Sequence, residues 1–181
     1  GVLIAPAPYA SPSAYYFPNT QRMAGIEVRK GSSTVKYGPR TTNGAVNLLT
    51  RSIPTLPEGE VSISAGTYGG LRSSNHYGTT VQTERGNFGI LGEFHHETSD
   101  GFKKPDYLSD DTGFNVSDYQ VKLNYQTPAS SKYYQEVSLK MGYTDEDSNE
   151  TYLGLTDEDF NANPFRRYNS SAADNMDAYH H

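Results

Sequence analysis

The sequence predicts a mainly β chain of antiparallel strands, each with one apolar face, suited to forming part of a transmembrane β-barrel. Three observations predict it. From Gly59 onward apolar and polar residues alternate with a period of two, which collects the apolar side chains of each strand on one face. Tight connections alternate with long ones, the arrangement of outer-membrane barrels, whose tight side is periplasmic. Tyrosine supplies much of the apolar mass, 15 Tyr against 7 Phe and no Trp, and Tyr68, Tyr77, Tyr125, Tyr133, Tyr134 and Tyr143 fall near strand ends, where an interfacial girdle would sit.

The chain opens differently. Pro6, Pro8, Pro12 and Pro18 stand among small residues and the aromatics Tyr9, Tyr15, Tyr16 and Phe17, which favours an ordered loop over helix or sheet. Short strands are expected at 26–30, 35–37 and 45–50, with a turn at Gly38 and Pro39 and a close approach or positive φ at Gly44. Pro54 and Pro57 make 52–58 a linker, giving an organisation of 1–54 followed by 59–181.

After the linker, Val61, Ile63 and Ala65 share one face, then Tyr77, Thr79, Val81 and Thr83. Phe88, Ile90, Gly92 and Phe94 follow, with Leu91 interrupting the polar face; then Tyr119, Val121, Leu123 and Tyr125; then Val137, Leu139, Met141 and Tyr143. A tilted strand needs about 9–11 residues to cross a bilayer, and each run is near that length. The connections are short around Gly69, tight at Arg85 and Gly86, long over 99–115, tight over 128–131 and very long over 145–176. A sixth strand is expected to open after Asp177, unless His180 and His181 are a tag remnant.

Composition removes other classes. The net charge is −6 and the 15 basic residues are scattered, so the electrostatic footprint of a nucleic-acid binder is missing. With no Cys there are no disulfides, thiolate nucleophiles or Cys-based zinc sites. The hydrophobic fraction of 34% is low for a globular core. A soluble β-protein, a carbohydrate-binding module and a membrane barrel all accommodate such a Tyr-rich composition. No apolar run has the roughly 20 residues of a transmembrane helix, and Gly1-Val2-Leu3-Ile4 lacks the form of a signal peptide, so the start is expected to lie upstream.

Candidate chemistry is sparse. Glu93, His95 and Glu97 share a strand face while His96 points away, a conceivable ligand set, but side chains lining a wet interior would look the same. Asp145, Glu146, Asp147, Glu150, Asp157, Glu158 and Asp159 lack the calcium-hand spacing and read as a solvated acidic loop. Asn115, Asn149 and Asn169 head glycosylation triplets that a bacterial outer-membrane protein would leave bare. There is no nucleophile elbow or phosphate-cradling loop, so no enzyme and no catalytic residue is expected, nor a cofactor or structural metal.

One ordered set of residues carries a resemblance. Ile26-Glu27-Val28-Arg29-Lys30-Gly31, then Tyr37-Gly38, then Gly44-Ala45-Val46-Asn47-Leu48-Leu49-Thr50 resembles the end of the plug domain of TonB-dependent outer-membrane receptors, with Ala45 where a second Gly is commoner. Ala5-Pro6-Ala7-Pro8-Tyr9 with Ala14-Tyr15-Tyr16-Phe17-Pro18, and Tyr152-Leu153-Gly154-Leu155-Thr156 with Asn163-Pro164-Phe165-Arg166-Arg167-Tyr168, are most similar to the ferric dicitrate receptor branch. The resemblance spans nearly the whole chain. It implies the C-terminal part of a plug followed by the first antiparallel strands of a transmembrane β-barrel, in a fragment of an energy-coupled receptor that imports a ferric chelate such as ferric citrate or a siderophore. Its implied partners are the chelate, outer-membrane lipid, and an inner-membrane energy-transducing protein that engages a segment upstream of Gly1; nucleic acid is not among them. Tyr9, Tyr15 and Tyr16 at the plug apex, with Arg40 as a cation, are the expected ligand contacts, and Arg166 and Arg167 come second because acidic neighbours can neutralise them. The alternatives are a secreted carbohydrate-binding β-module that uses exposed Tyr, and a β-structured adhesin.

Overall fold

The computed structural model describes residues 18–31, 34, 44–107, 111–149, 153–170 and, for the backbone alone, 177–180. The chain divides into two compact units, one spanning Pro18–Ser52 and the other including Ile53–His181.

In the smaller unit Asn19 accepts a hydrogen bond from the amide of Gln21 (2.9 Å) and caps a 3-10 turn, Thr20–Arg22. Strand β1, Met23–Arg29, follows directly, so the strand expected from residue 26 begins three residues earlier. It pairs antiparallel with β2, Ala45–Thr50, placing Val28 opposite Val46 and Ile26 opposite Leu48. Glu27 holds Arg29 and accepts from Asn47 Nδ2 (3.3 Å), and Arg51 Nη1 donates to Gln21 O (2.9 Å). The strand expected at 35–37 and the turn at Gly38 and Pro39 lie outside the described residues.

The larger unit contains β3, Glu58–Ala65; β4, Leu71–Thr83; β5, Gly86–Ser99; β6, Lys104–Pro105; β7, Phe114–Gln126; β8, Glu136–Asn149; a short helix α1, Asp157–Ala162; β9, Arg166–Arg167; and β10, Asp177–His180. The protein is therefore mainly β. Strands β3, β4, β5, β7, β8 and β10 form one antiparallel meander in which sequence neighbours are spatial neighbours. The strand anticipated after Asp177 is β10, paired with β8 through Asp177 and Asn149.

Register turns the alternation into continuous rows across the sheet. Val81, Phe88, Tyr125 and Val137 stand abreast, as do Thr79, Ile90, Leu123 and Leu139, and then Tyr77, Gly92, Val121 and Met141. The next row runs Asn75, Phe94, Tyr119 and Tyr143. Phe88 lies 4.7 Å from Tyr125, and Phe94 lies 4.9 Å from Tyr119, so ring pairs mark both margins of the apolar band. At roughly 3.3 Å per residue the band spans about 20 Å along β5.

Burial runs opposite to that of a water-soluble sheet. Ile90, Leu123, Leu139 and Met141 are exposed, Met141 by 50%, whereas Glu93, His95, Asp118 and Gln120 on the other face are at most 4% exposed. Among the described residues Leu91 is the one buried large apolar side chain, and it lies on this polar face. Ile53 and Pro54 explain the place. A Cβ on Gly78 would stand 2.6 Å from Pro54 Cδ and 3.0 Å from Leu91 Cδ1, and one on Gly89 would stand 2.9 Å from Ile53 Cγ2. The two glycines leave a recess in which the start of the linker rests, fixed by the bond from Thr80 Oγ1 to Pro54 O (2.7 Å).

The connection at 84–85 is tight as expected, whereas the one expected over 128–131 spans 127–135. Gly86 has φ +138° after the two-residue turn Glu84-Arg85, and Thr127 and Gln135 bond to each other across the turn before β8. The long connection expected from 145 begins later, because Asp145, Glu146 and Asp147 continue β8. Asn115, Val116 and Ser117 of β7 face them on one side, and the backbone of β10 faces Glu146 and Asp147 on the other. Three of the seven acidic residues read as a loop are thus strand residues, Glu146 and Asp147 held by a ladder on both sides and Asp145 by β7.

Candidate functional site

The sheet end opposite the tight turns carries connections 66–70, 100–113 and the one beginning at 150. Tyr68 adopts φ +58° beside Gly69 at φ +64°, which turns its carbonyl toward the amide of Asp100 (2.8 Å) and the hydroxyl of Ser99 (3.2 Å). Its ring lies 6.2 Å from Phe102, and Phe102 meets Phe165 edge-on at 6.3 Å. Side chains from three connections therefore form one aromatic chain, each member about half exposed.

The second and third connections are also joined through backbone. Strands β6 and β9 pair in parallel, Lys104 beside Arg166 and Pro105 beside Arg167, with the amide of Lys104 donating to Phe165 O (2.8 Å) and that of Asp106 to Arg167 O (2.9 Å). Arg166 stands at the junction. Its Nε donates to both carboxylate oxygens of Asp106 (2.9 and 3.0 Å), and its Nη2 lies 2.9 Å from Asp106 Oδ2. Its Nη1 donates to Asp159 Oδ1 (2.5 Å), while the hydroxyl of Tyr168 donates to Asp159 Oδ2 (2.5 Å) and the Tyr168 ring lies 5.1 Å from the guanidinium carbon.

Asp159 occupies this position because Thr156 caps α1. Thr156 Oγ1 accepts from the amide of Asp159 (3.2 Å), and Asp157, Glu158 and Asp159 fill the first turn, where the helix dipole favours negative charge. The Tyr168 hydrogen bond, ahead of those from Thr156 and the charge of Arg166, holds the Asp159 carboxyl below its ordinary range despite an opposing effect of burial. Arg166 is raised, first by its hydrogen bonds to Asp106.

Of the residues expected to contact ligand, Arg166 and Arg167 fall here. Arg166 is balanced by two carboxylates, so an anion that reached it would have to displace one. Arg167 is buried and donates to Asn149 O (2.9 Å) at the end of β8. Tyr9, Tyr15, Tyr16 and Arg40 lie outside the described residues. Sequence reasoning missed α1, the β6–β9 pair and Asp106. A signal for α1 was present in Thr156-x-x-Asp159 ahead of Phe160, a capping pattern, whereas a two-residue bridge across 60 residues leaves no periodicity.

The polar face of the sheet carries a second group of side chains. Ser74 Oγ lies 2.9 Å from His95 Nδ1, Thr144 Oγ1 donates to Asp118 Oδ2 (2.9 Å), and Arg72 pairs with Glu97 (2.5 Å). His95 shares its face with Glu93 and Glu97, and His96 turns the other way to Ser117 (3.1 Å), as the alternation requires. Among the described residues no group of three His, Asp or Glu side chains is placed to hold a metal ion. No helix among them is long and apolar enough to cross a membrane, which says nothing of strands.

No protein-family model matches the chain. No solved structure matches it.

Proposed function

We propose that the chain is part of an energy-coupled outer-membrane receptor of the TonB-dependent kind. On this reading 1–54 is the C-terminal part of a plug, 59–181 contributes the first strands of a transmembrane β-barrel, and the cargo is a ferric chelate such as ferric citrate or a siderophore. One observation carries the reading: the sheet exposes its apolar face, bounded by ring pairs at both margins, while at its centre Glu93, His95, Asp118 and Gln120 of the opposite face are buried. Water disfavours that arrangement by about 25 cal/mol for each Å² of apolar surface left exposed, and hydrocarbon reverses the preference. The loops support the same orientation. The tight turns lie at the end expected to face the periplasm, and the joined loops lie at the end expected to meet ligand.

The chelate would be held by Tyr9, Tyr15, Tyr16 and Arg40, with Arg166 and Arg167 as second contacts. Transport energy would come from an inner-membrane partner. A carbohydrate-binding module would instead be a water-soluble monomer that used its exposed rings for glycans. Titration of the detergent-solubilised chain with ferric citrate separates the two. Binding that weakens at least about tenfold on Tyr15→Ala or Arg40→Ala, consistent with loss of one charge-assisted contact, supports the receptor; glycan binding by a detergent-free monomer overturns it.

A further inference from the structure

Asp106 and Arg166 are 60 residues apart in sequence, yet their connections, at 100–107 and 153–170, each supply half of one small folded assembly. Asp106 comes from the first; Asp159, Arg166 and Tyr168 come from the second; Arg166 touches carboxylates of both. Two backbone hydrogen bonds and the Phe102–Phe165 edge contact lie beside the guanidinium, and each needs both connections in place. We propose that residues 100–107 of the first connection and 153–170 of the second form a single strap, fastened at Arg166, whose two halves lose and regain their contacts together.

The parts are unequal. A parallel bridge of two residues is too short to hold by itself, and the rings are half exposed, so neither joins the loops unaided. Arg166 spans the join with a fork that addresses Asp106 through two nitrogens and Asp159 through a third, a geometry an ammonium cannot copy. On the second connection Asp159 is itself held by the cap of Thr156 and by Tyr168, so its side of the clasp is built in advance. Releasing Arg166 therefore frees Asp106 from a preformed partner, and the amides of Lys104 and Asp106 lose their acceptors in the same event. The proposal concerns how the loops move and stands whether or not the chain transports iron.

Amide hydrogen exchange of the 181-residue chain in detergent micelles tests it. In Arg166→Gln the amides of Lys104 and Asp106, on the other connection, are expected to exchange about tenfold faster or more, together with Phe160 of α1 and Asn163 at its C-cap, while those of β7 are unchanged. Arg166→Lys is expected to fall between, since it keeps charge without the fork. Phe102→Ala, which leaves the ion pairs in place, is expected to accelerate exchange less than Arg166→Gln does. Faster exchange confined to 153–170, with Lys104 and Asp106 as protected as before, overturns the strap, as does full protection in Arg166→Gln.

Discussion

Two residues show how a side chain, or its absence, decides the local outcome. Gly78 is needed because Pro54 and Leu91 occupy the space its Cβ would take. Gly78→Val is expected to destabilise the chain by about 1–3 kcal/mol, the usual cost of overpacking, read as a lower midpoint in thermal unfolding in detergent; Thr79→Val, on the other face, leaves the midpoint within error. Asp159 is the second. Its carboxyl titrates below the ordinary value of 3.8 when folded, so ionisation stabilises the folded loop. That contribution is complete above the ordinary value and fades only as pH falls below 3.8 through the depressed folded value. Exchange at Phe160 and Asn163, corrected for its intrinsic pH dependence, is therefore expected to be flat from pH 7 to about 5 and to accelerate below about 4; an onset near pH 6 would show that another group controls the loop.

At the scale of elements, the strands were the legible part. Period-two alternation places Phe88, Ile90 and Phe94 on one face without ambiguity, since a slip of one residue inverts the whole set, and the observed ladders keep that face. Leu91 could be identified as an interruption, but its cause, the recess for Ile53 and Pro54, depends on two glycines brought together by register. The extension of β8 through Asp145, Glu146 and Asp147 was illegible for a related reason: acidic residues have poor strand propensity, and only pairing with β7, joined by β10 at Glu146 and Asp147, holds them in line. The loop assembly was hidden further, because Asp106 and Arg166 acquire meaning only once the chain has folded. Ile90 tests what the band is for. Ile90→Arg is expected to reduce insertion into lipid vesicles by about 2–4 kcal/mol, the midplane cost for a strand facing lipid, while Ser138→Arg on the polar face leaves insertion nearly unchanged. Equal tolerance of both substitutions would mean the band does not meet hydrocarbon.

For the molecule as a whole, the sheet raises a question that its own residues answer only with a second phase present. Within the described residues β3 and β10 are the two edges and do not pair with each other, and an open edge in hydrocarbon leaves backbone groups unsatisfied. On the proposed reading, further strands or a second copy would be needed to close the sheet into a barrel. What separates lipid from water can still be read on a single strand. Ser138 and Leu139 are neighbours in β8, point to opposite faces, and are both exposed in the chain by itself. Among the described residues neither is covered, so a large difference in their reactivity points to the surroundings. The chain has no Cys, which lets Ser138→Cys and Leu139→Cys be prepared singly with no competing thiol. In water or dilute denaturant both are expected to react with a charged maleimide at similar rates. In vesicles Leu139→Cys is expected to slow about tenfold or more, since hydrocarbon excludes the reagent and disfavours the thiolate, while Ser138→Cys keeps its rate. Equal rates in vesicles, or protection of position 138 instead, would remove the membrane from the account.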